Sequence, residues 1–213
     1  MILAWSAPGM FGGDCLEQRI RVERGSSVSL VSQSALQAHP APDGGCATLH
    51  TTIDVEEEAE LRCEWDALIP FPAARFSQRI AINLAAGAAL YWSDAFMAGR
   101  EGRGERWAFG ALGHELAVRR GGSLVYLERF RLEPAVQMVE SRWVASDSCY
   151  FGTVLAVGPP AADDKLQDDL SSFEGVRAAV DSLDADMKLV RLMAQRGTAF
   201  HDARALVRRC LCA

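Results

Sequence analysis

Six cysteines, four histidines and 28 carboxylates are the side chains of this 213-residue chain that could hold a metal, act as a nucleophile or move a proton. The cysteines (Cys15, Cys46, Cys63, Cys149, Cys210, Cys212) are scattered without a Cys-x-x-Cys pair, so free thiols in a reducing compartment are expected. Cys210 and Cys212 form a Cys-x-Cys that would suit a soft cation, but no histidine or second thiol pair lies near them in sequence to complete a site. His39, His50, His114 and His201 lie far apart and read as ordinary surface or turn residues. No Gly-x-Ser-x-Gly elbow, P-loop or His-Glu-x-x-His occurs. The Gly-rich string GREGRGERWAFG neither follows a clean buried strand nor opens an amphipathic helix, so it is not a dinucleotide loop. No catalytic motif is found in the sequence.

The elements that would position any such groups follow from one recurring pattern. An apolar residue, a spacer, a second apolar residue, a five-residue turn and another apolar pair recur from Ile20, Ile53, Ile82 and Leu116, at intervals of 33, 29 and 34 residues. The period-two alternation predicts strands with Ile20, Val22, Val28, Leu30, Ile53, Val55, Leu61, Cys63, Ile82, Leu84, Leu90, Trp92, Leu116, Val118, Leu124 and Tyr126 facing a core. Gly25, Gly87 and Gly121 share the turn position, where a positive φ costs little for glycine, and Glu58 stands there in the second copy. Repeats at this interval suit a β-solenoid whose units bury one another's faces. A meander or sandwich of similar hairpins obeys the same turn rules, and the pattern alone leaves both open.

The chain is mainly β over residues 1–150, a solenoid-like body, and changes grammar after Phe151 into an α+β appendage spanning 151–213. There GTVLAVGPP reads as a buried strand, DDKLQDDLSSF as a helix, VRAAVDSL and MKLVRLMAQ as a hairpin, and HDARALVRRCL (201–211) as a closing helix. HPAPDGG (39–45) and GREGRG (99–104) read as loops without regular structure. A net charge of −6 with two lysines, Lys165 and Lys188, argues against a nucleic-acid face. No apolar run reaches the ~20 residues that span a bilayer, and MILAWSAPGMF lacks the basic region of a signal peptide. A cytoplasmic protein that touches neither membrane nor nucleic acid is expected.

Two strings carry a more specific signal. FPAARFSQR (71–79) and GREGRGERWAFG (99–110), preceded by Gly12-Gly13-Asp14 and by SQSA (32–35) and followed by YLERFRL (126–132), resemble in kind and order the urease accessory protein UreD (UreH) family. Phe71, Arg75, Gln78, Gly99, Arg100, Gly104 and Phe109, with Gly12 and Gly13, fall on that family's motif positions, where a structural role is expected. The resemblance implies a β-helix-like fold and a non-enzymatic chaperone that binds urease apoprotein. It further implies a UreF-like accessory protein and, through the complex, a UreG-like GTPase as partners in delivering nickel, with no tightly held cofactor and only transient Ni²⁺. The chain departs from the pattern: fewer residues precede the GGD turn, LQAHPAP stands where a basic aromatic stretch is usual, and the first coil is expected to be missing or uncapped.

The resemblance also implies an internal, water-filled path lined by acids, and Asp14, Asp94, Glu105 and Glu128 fall on matching positions. Carboxylates and waters suit such a path because thiolate cages would trap the ion. Against this, Asp14 would cap its own turn, Asp94 would be a strand-end surface acid, and Glu105 and Glu128 would pair with Arg100, Arg103, Arg106 or Arg129. Arg75 and Arg100 are expected to bond carboxylates or carbonyls between coils. Two other classes remain: a carbohydrate-active β-helix, which would want exposed aromatic platforms beside paired acids, and a metal-independent scaffold. Of the tryptophans, Trp5 and Trp143 are the two not tied to apolar segments.

Overall fold

The structure is a computed structural model that describes residues 1–3, 8–158 and 165–212. Trp5 and the Pro-Pro that ends GTVLAVGPP lie outside the described residues, as do the first two acids of DDKLQDDLSSF. The chain runs β1 (Ile2–Leu3), β2 (Met10–Phe11), β3 (Cys15–Val22), β4 (Ser27–Ser32), β5 (Gln37–His39), β6 (Ala47–Val55), β7 (Glu60–Glu64) and β8 (Ile69–Pro70). It continues through β9 (Arg75–Leu84), β10 (Ala89–Met97), β11 (Ala111–Arg120), β12 (Ser123–Leu132), β13 (Tyr150–Val157), α1 (Leu166–Ser171), β14 (Val176–Asp184), β15 (Met187–Ala194) and α2 (Gly197–Leu211).

These strands form a solenoid with three faces. β3, β6, β9 and β11 pair in parallel on one face, β4, β7 and β10 on the second, and β2, β5 and β8 on the third. Each of the first three repeats is therefore an arch whose two strands lie in different sheets, because the turn redirects the chain instead of folding it back on itself. The fourth repeat is the exception: β11 and β12 pair antiparallel as a true hairpin, with a register shift between Val118 and Arg119, and close that sheet. The shift moves Leu124 out of the inward row, and it is 51% exposed, contrary to its expected core position. The other inward candidates are buried, apart from Ile20 and Val28, which are half-covered.

The turns stack coil on coil. Gly25, Gly87 and Gly121 adopt φ of 68°, 69° and 55°, and Glu58 adopts the same left-handed region at 55° in spite of its Cβ. The Gly25 N–H donates to the Glu57 carbonyl, Glu58 N–H to Ala86, and Gly121 N–H to Leu84, so each of these turns is held by a neighbouring coil. A Cβ on Gly87 would lie 2.2 Å from the Glu58 carboxylate, which explains why glycine stands beside the one turn that lacks it.

β13 pairs antiparallel with β10 along its whole length, and β15 and β14 extend that sheet to seven strands. The expected order of strand, helix, hairpin and helix is present as β13, α1, β14–β15 and α2. α2 begins four residues before the expected start at His201, and a single 3-10 turn at Glu101–Arg103 interrupts the loop expected to be irregular. Phe200, Ala203 and Val207 of α2, with Leu166 and Leu170 of α1, pack on Val154, Val190 and Leu192 of the sheet. Arg204 fixes α2 by donating to Ser93 Oγ at 2.8 Å and to the Trp65 carbonyl at 2.9 Å. Two apolar clusters fill the solenoid itself, one around Ile53, Leu61, Ile82, Trp92 and Leu116 and the other around Met10, Phe76, Phe109 and Leu112. Among the described residues no helix is long and apolar enough to cross a membrane.

Candidate functional site

Between the two solenoid cores, the inward rows of the strands turn polar at one level. Each row runs apolar, polar, apolar: Leu16, Gln18, Ile20 on β3; Leu49, Thr51, Ile53 on β6; Phe76, Gln78, Ile80 on β9; Leu112, His114, Leu116 on β11. Since side chains alternate across a strand, all four polar groups point into the solenoid. Thr51 Oγ1 donates to Gln18 Oε1 at 3.1 Å, and the Gln78 amide meets His114 Nδ1 at 2.7 Å. Asp94 of β10, Thr153 of β13 and Arg191 of β15 stand in register on the opposite sheet, and Glu128 of β12 closes the ring.

Glu128 is the fixed member of this seam. Its carboxylate, 9% exposed, accepts from Tyr126 Oη at 2.7 Å, from Arg191 Nη1 at 3.0 Å and from Thr153 Oγ1 at 3.3 Å. Arg191 Nη2 also donates to Tyr126 Oη at 3.3 Å. The ion-pair partner is thus Arg191, sixty-three residues away in sequence, and none of the nearby arginines; Arg129 binds Glu115 instead. Burial raises the Tyr126 phenol, with the Glu128 charge adding to the effect.

Asp94 is the uncommitted member. It is 8% exposed, and its Oδ2 has no hydrogen-bond partner; the closest cation-capable atom is His114 Nε2 at 3.8 Å. Because His114 Nδ1 faces the Gln78 amide, His114 directs Nε2 toward Asp94. The Trp92 indole N–H lies beside the same carboxylate but outside hydrogen-bond geometry, and it too is unpartnered. Burial raises the Asp94 carboxyl above the ordinary carboxylate range; His114 opposes that shift and Glu128 reinforces it.

Space accompanies the polarity. A cavity of about 260 Å³ is lined by Asp94, His114, Glu128, Thr153 and Arg191 on its polar side and by Phe96, Trp107, Phe130 and Phe151 on its aromatic side. A second cavity of about 60 Å³ is lined by Gln18, Thr51, Ser32, Ser34 and Asp66. Leu68, Gln78, Asp94 and Ala95 line both, so Asp94 stands at the partition between the two. Arg191, half-exposed at 47%, lines the larger cavity from the outer side. Among the described residues no three histidine, cysteine or carboxylate side chains are close enough to cage a metal ion. In this arrangement Asp94 Oδ2 is a hard oxygen donor that faces the cavities.

The structure brings Asp94 and Glu128 together and leaves the other two acids apart. Asp94 is interior, not a strand-end surface acid. Asp14 is exposed and its Oδ2 accepts the Phe11 N–H at 2.8 Å, capping the turn in which Gly12 and Gly13 sit. Glu105 takes both Arg100 Nε at 2.6 Å and Nη2 at 2.8 Å, and the Arg100 guanidinium lies 3.8 Å over the Phe71 ring. Gly99, at φ 137°, would place a Cβ 2.1 Å from the Glu105 carbonyl, and Gly104, at φ 70°, ends the 3-10 turn. Phe109 is buried, and Arg75 is half-buried at the start of β9 against Gly110. Gln78, expected as a structural residue, is the seam residue that holds His114.

His114 corrects the expectation that the histidines are ordinary surface or turn groups: it is 6% exposed and stacked on Phe130 at 5.0 Å. Its signal was in the repeat, two residues before Leu116 on the inward parity. Thr153 and Arg191 had no such signal, because only the pairing of β13 with β10 and of β15 with β13 places them there. Cys210 and Cys212 are half-buried, and burial pushes the Cys212 thiol up to about 11, which disfavours a thiolate ligand.

The whole chain, residues 1–213, matches the UreD urease accessory protein family model. It is 34% identical over 154 residues to a urease accessory protein UreD of Sorangium cellulosum, covering 72% of this chain and 48% of that protein. It is 32% identical over 141 residues to a UreH of Helicobacter hepaticus, covering 66% of this chain and 55% of that one. With a UreD of Lysinibacillus sphaericus it shares 26% identity over 204 residues, covering 94% of this chain and 76% of the relative. The chain thus spans about half the length of the first and second of these proteins. The solenoid of stacked arches, the motif strings and these matches agree, and the chain belongs to the urease accessory protein UreD family.

Proposed function

We propose that this protein is a non-enzymatic maturation factor for urease, binding the urease apoprotein and a UreF-like accessory protein and working with a UreG-like GTPase in the same complex. In this reading Ni²⁺ is cargo that crosses the interior of the solenoid along the polar seam, with no ion tightly retained. The observation that carries the reading is the unpartnered Oδ2 of Asp94 at the partition of two cavities. Glu128 is already committed to Arg191, so the Asp94 carboxylate is the donor open to a passing cation; with Gln78 Nε2 donating to His114 Nδ1, His114 turns Nε2–H toward that carboxylate. Asp14 and Glu105 take no part in this path, since each is engaged in its own turn or ion pair.

Reconstitution tests the reading. Urease apoprotein, UreF-like and UreG-like partners, GTP and Ni²⁺ should yield active urease only when this chain is added. It should co-purify with the apoprotein and the UreF-like partner and should hydrolyse neither urea nor GTP alone. Equal activation without it, or turnover by the isolated chain, would overturn the assignment.

A further inference from the structure

Glu128 and Asp94 line the same cavity, and Arg191 stands between Glu128 and any ion that enters it. The two Glu128 oxygens are held differently. Oε2 accepts from Tyr126 Oη at 2.7 Å and from Thr153 Oγ1 at 3.3 Å, whereas Oε1 meets Arg191 Nη1 at 3.0 Å and Thr153 Oγ1 only at 3.5 Å. Arg191 grips the carboxylate through that single nitrogen, since its Nη2 donates to Tyr126 Oη, and so lacks the two-pronged contact of the strongest arginine–carboxylate pairs. Were the guanidinium to leave, Tyr126 would keep the carboxylate in place and Oε1 would be freed. Asp181 offers the guanidinium a second partner. β14 pairs Ala179 with Arg191 and Asp181 with Leu189, which sets Asp181 diagonally beside Arg191 on the same face, a separation that a long side chain spans. Burial opposes the Arg191 charge, but Glu128, with Tyr126 and Asp181, holds the guanidinium above its ordinary range.

We propose that Arg191 is a displaceable counter-ion: it occupies the place of a cation on Glu128, and when it turns toward Asp181, Glu128 Oε1 and Asp94 Oδ2 form a two-carboxylate station for Ni²⁺. This rests on the reading of Ni²⁺ as cargo. Asp94, Glu128 and Arg191 are, with the His114 imidazole, the titratable groups that line the cavity. Two carboxylates balance a divalent ion, whereas a guanidinium left among them repels it, and the more strongly where water is scarce. Arginine cannot shed its charge, so it stops opposing the ion only by moving. Asp94, 8% exposed, already presents an unpartnered oxygen to the cavity, and the station lacks only the departure of Arg191. Both carboxylates supply the hard oxygen that holds such an ion without caging it. The ion gains Glu128 by displacing a cation that stays tethered and returns when the ion moves on, so Arg191 limits how tightly the station holds its cargo.

Calorimetric titration of the full chain with Ni²⁺ alone tests the proposal. Arg191→Gln should bind the ion at least about tenfold more tightly than wild type, as expected when a unit charge opposing a divalent ion is taken from a partly buried site. Glu128→Gln/Arg191→Gln and Asp94→Asn/Arg191→Gln, each short of one carboxylate, should lose that gain. Arg191→Lys keeps the charge and should bind as wild type does. An Arg191→Gln constant equal to wild type, a gain that survives Glu128→Gln, or an Arg191→Lys protein as tight as Arg191→Gln would each overturn it. The wild-type protein supplies a reading that does not depend on the folding of any variant: saturation with Ni²⁺ should speed the modification of Arg191 by phenylglyoxal several-fold, read by peptide mass spectrometry, and an unchanged rate would overturn the displacement. These titrations contain no urease, so they judge the station alone, while the path is judged by nickel loading of urease with Asp94→Asn.

Discussion

Replacing Asp94 with Asn should stabilise the fold and impair the function, and the two effects have separate origins. The wild-type carboxylate is buried beside Glu128 with one oxygen unpaired, and burial raises its affinity for a proton. For an acid whose folded value lies above its unfolded one, stability is highest below the unfolded range, near pH 3.9 for aspartate, and declines as pH rises through the raised folded value. The Asp94→Asn change removes that decline and keeps the shape. The difference between the two proteins should therefore be small in acid and grow in favour of the variant toward neutral pH. The neutral amide has no charge to desolvate, so the variant gains stability at neutral pH, which for a chain of this size reads as about 2 to 4 °C in Tm per kcal/mol. Differential scanning calorimetry at pH 4 and pH 7.5 reads this directly. A variant that melts several degrees below wild type at pH 7.5 would refute the reasoning and show Asp94 to be a satisfied structural group.

The remaining expectations concern groups with opposite roles. Glu128→Ala should destabilise by about 1 to 3 kcal/mol, because Tyr126 Oη and Thr153 lose an acceptor while the half-exposed Arg191 can turn to water; urea denaturation checks it. Leu61→Ala, at a fully buried position, should cost about 2 to 5 kcal/mol, whereas Leu124→Ala should stay within about 0.5 kcal/mol because its site is exposed; equal losses in thermal melts would refute the hairpin register of the fourth repeat. Gly99→Ala should destabilise by about 1 to 3 kcal/mol or more and so lower soluble yield and Tm, since φ 137° is strained for alanine and the new Cβ meets the Glu105 carbonyl.

Much of the architecture was legible in the chain, and the exceptions have physical causes. The inward rows from Ile20 to Trp92 followed from period-two alternation alone, but the choice between arch and hairpin did not, because both need the same left-handed turn residue. Pairing decided it: β3 with β6 and β4 with β7, contacts more than thirty residues apart. Leu124 failed because one register shift after Val118 slides the returning strand past the period. Within the seam, Gln18, Thr51, Gln78, His114, Asp94 and Glu128 all extend the inward parity of a repeat strand by two or four residues, so the polar level could have been read as a block. Treating each histidine separately concealed it. The counter-charge could not be read at all: Arg191 reaches Glu128 only because three antiparallel strands carry it back across the sheet.

The central claim is that Ni²⁺ passes Asp94 inside the solenoid, and the nickel content of urease measures it most directly. Urease apoprotein would be matured with wild-type protein or with the Asp94→Asn variant, together with its UreF-like and UreG-like partners, then re-isolated and its metal quantified by mass spectrometry. The variant complex is expected to assemble with unchanged stoichiometry and to melt no lower than wild type, yet to load nickel several-fold more slowly. Equal loading from an intact variant complex would contradict the claim.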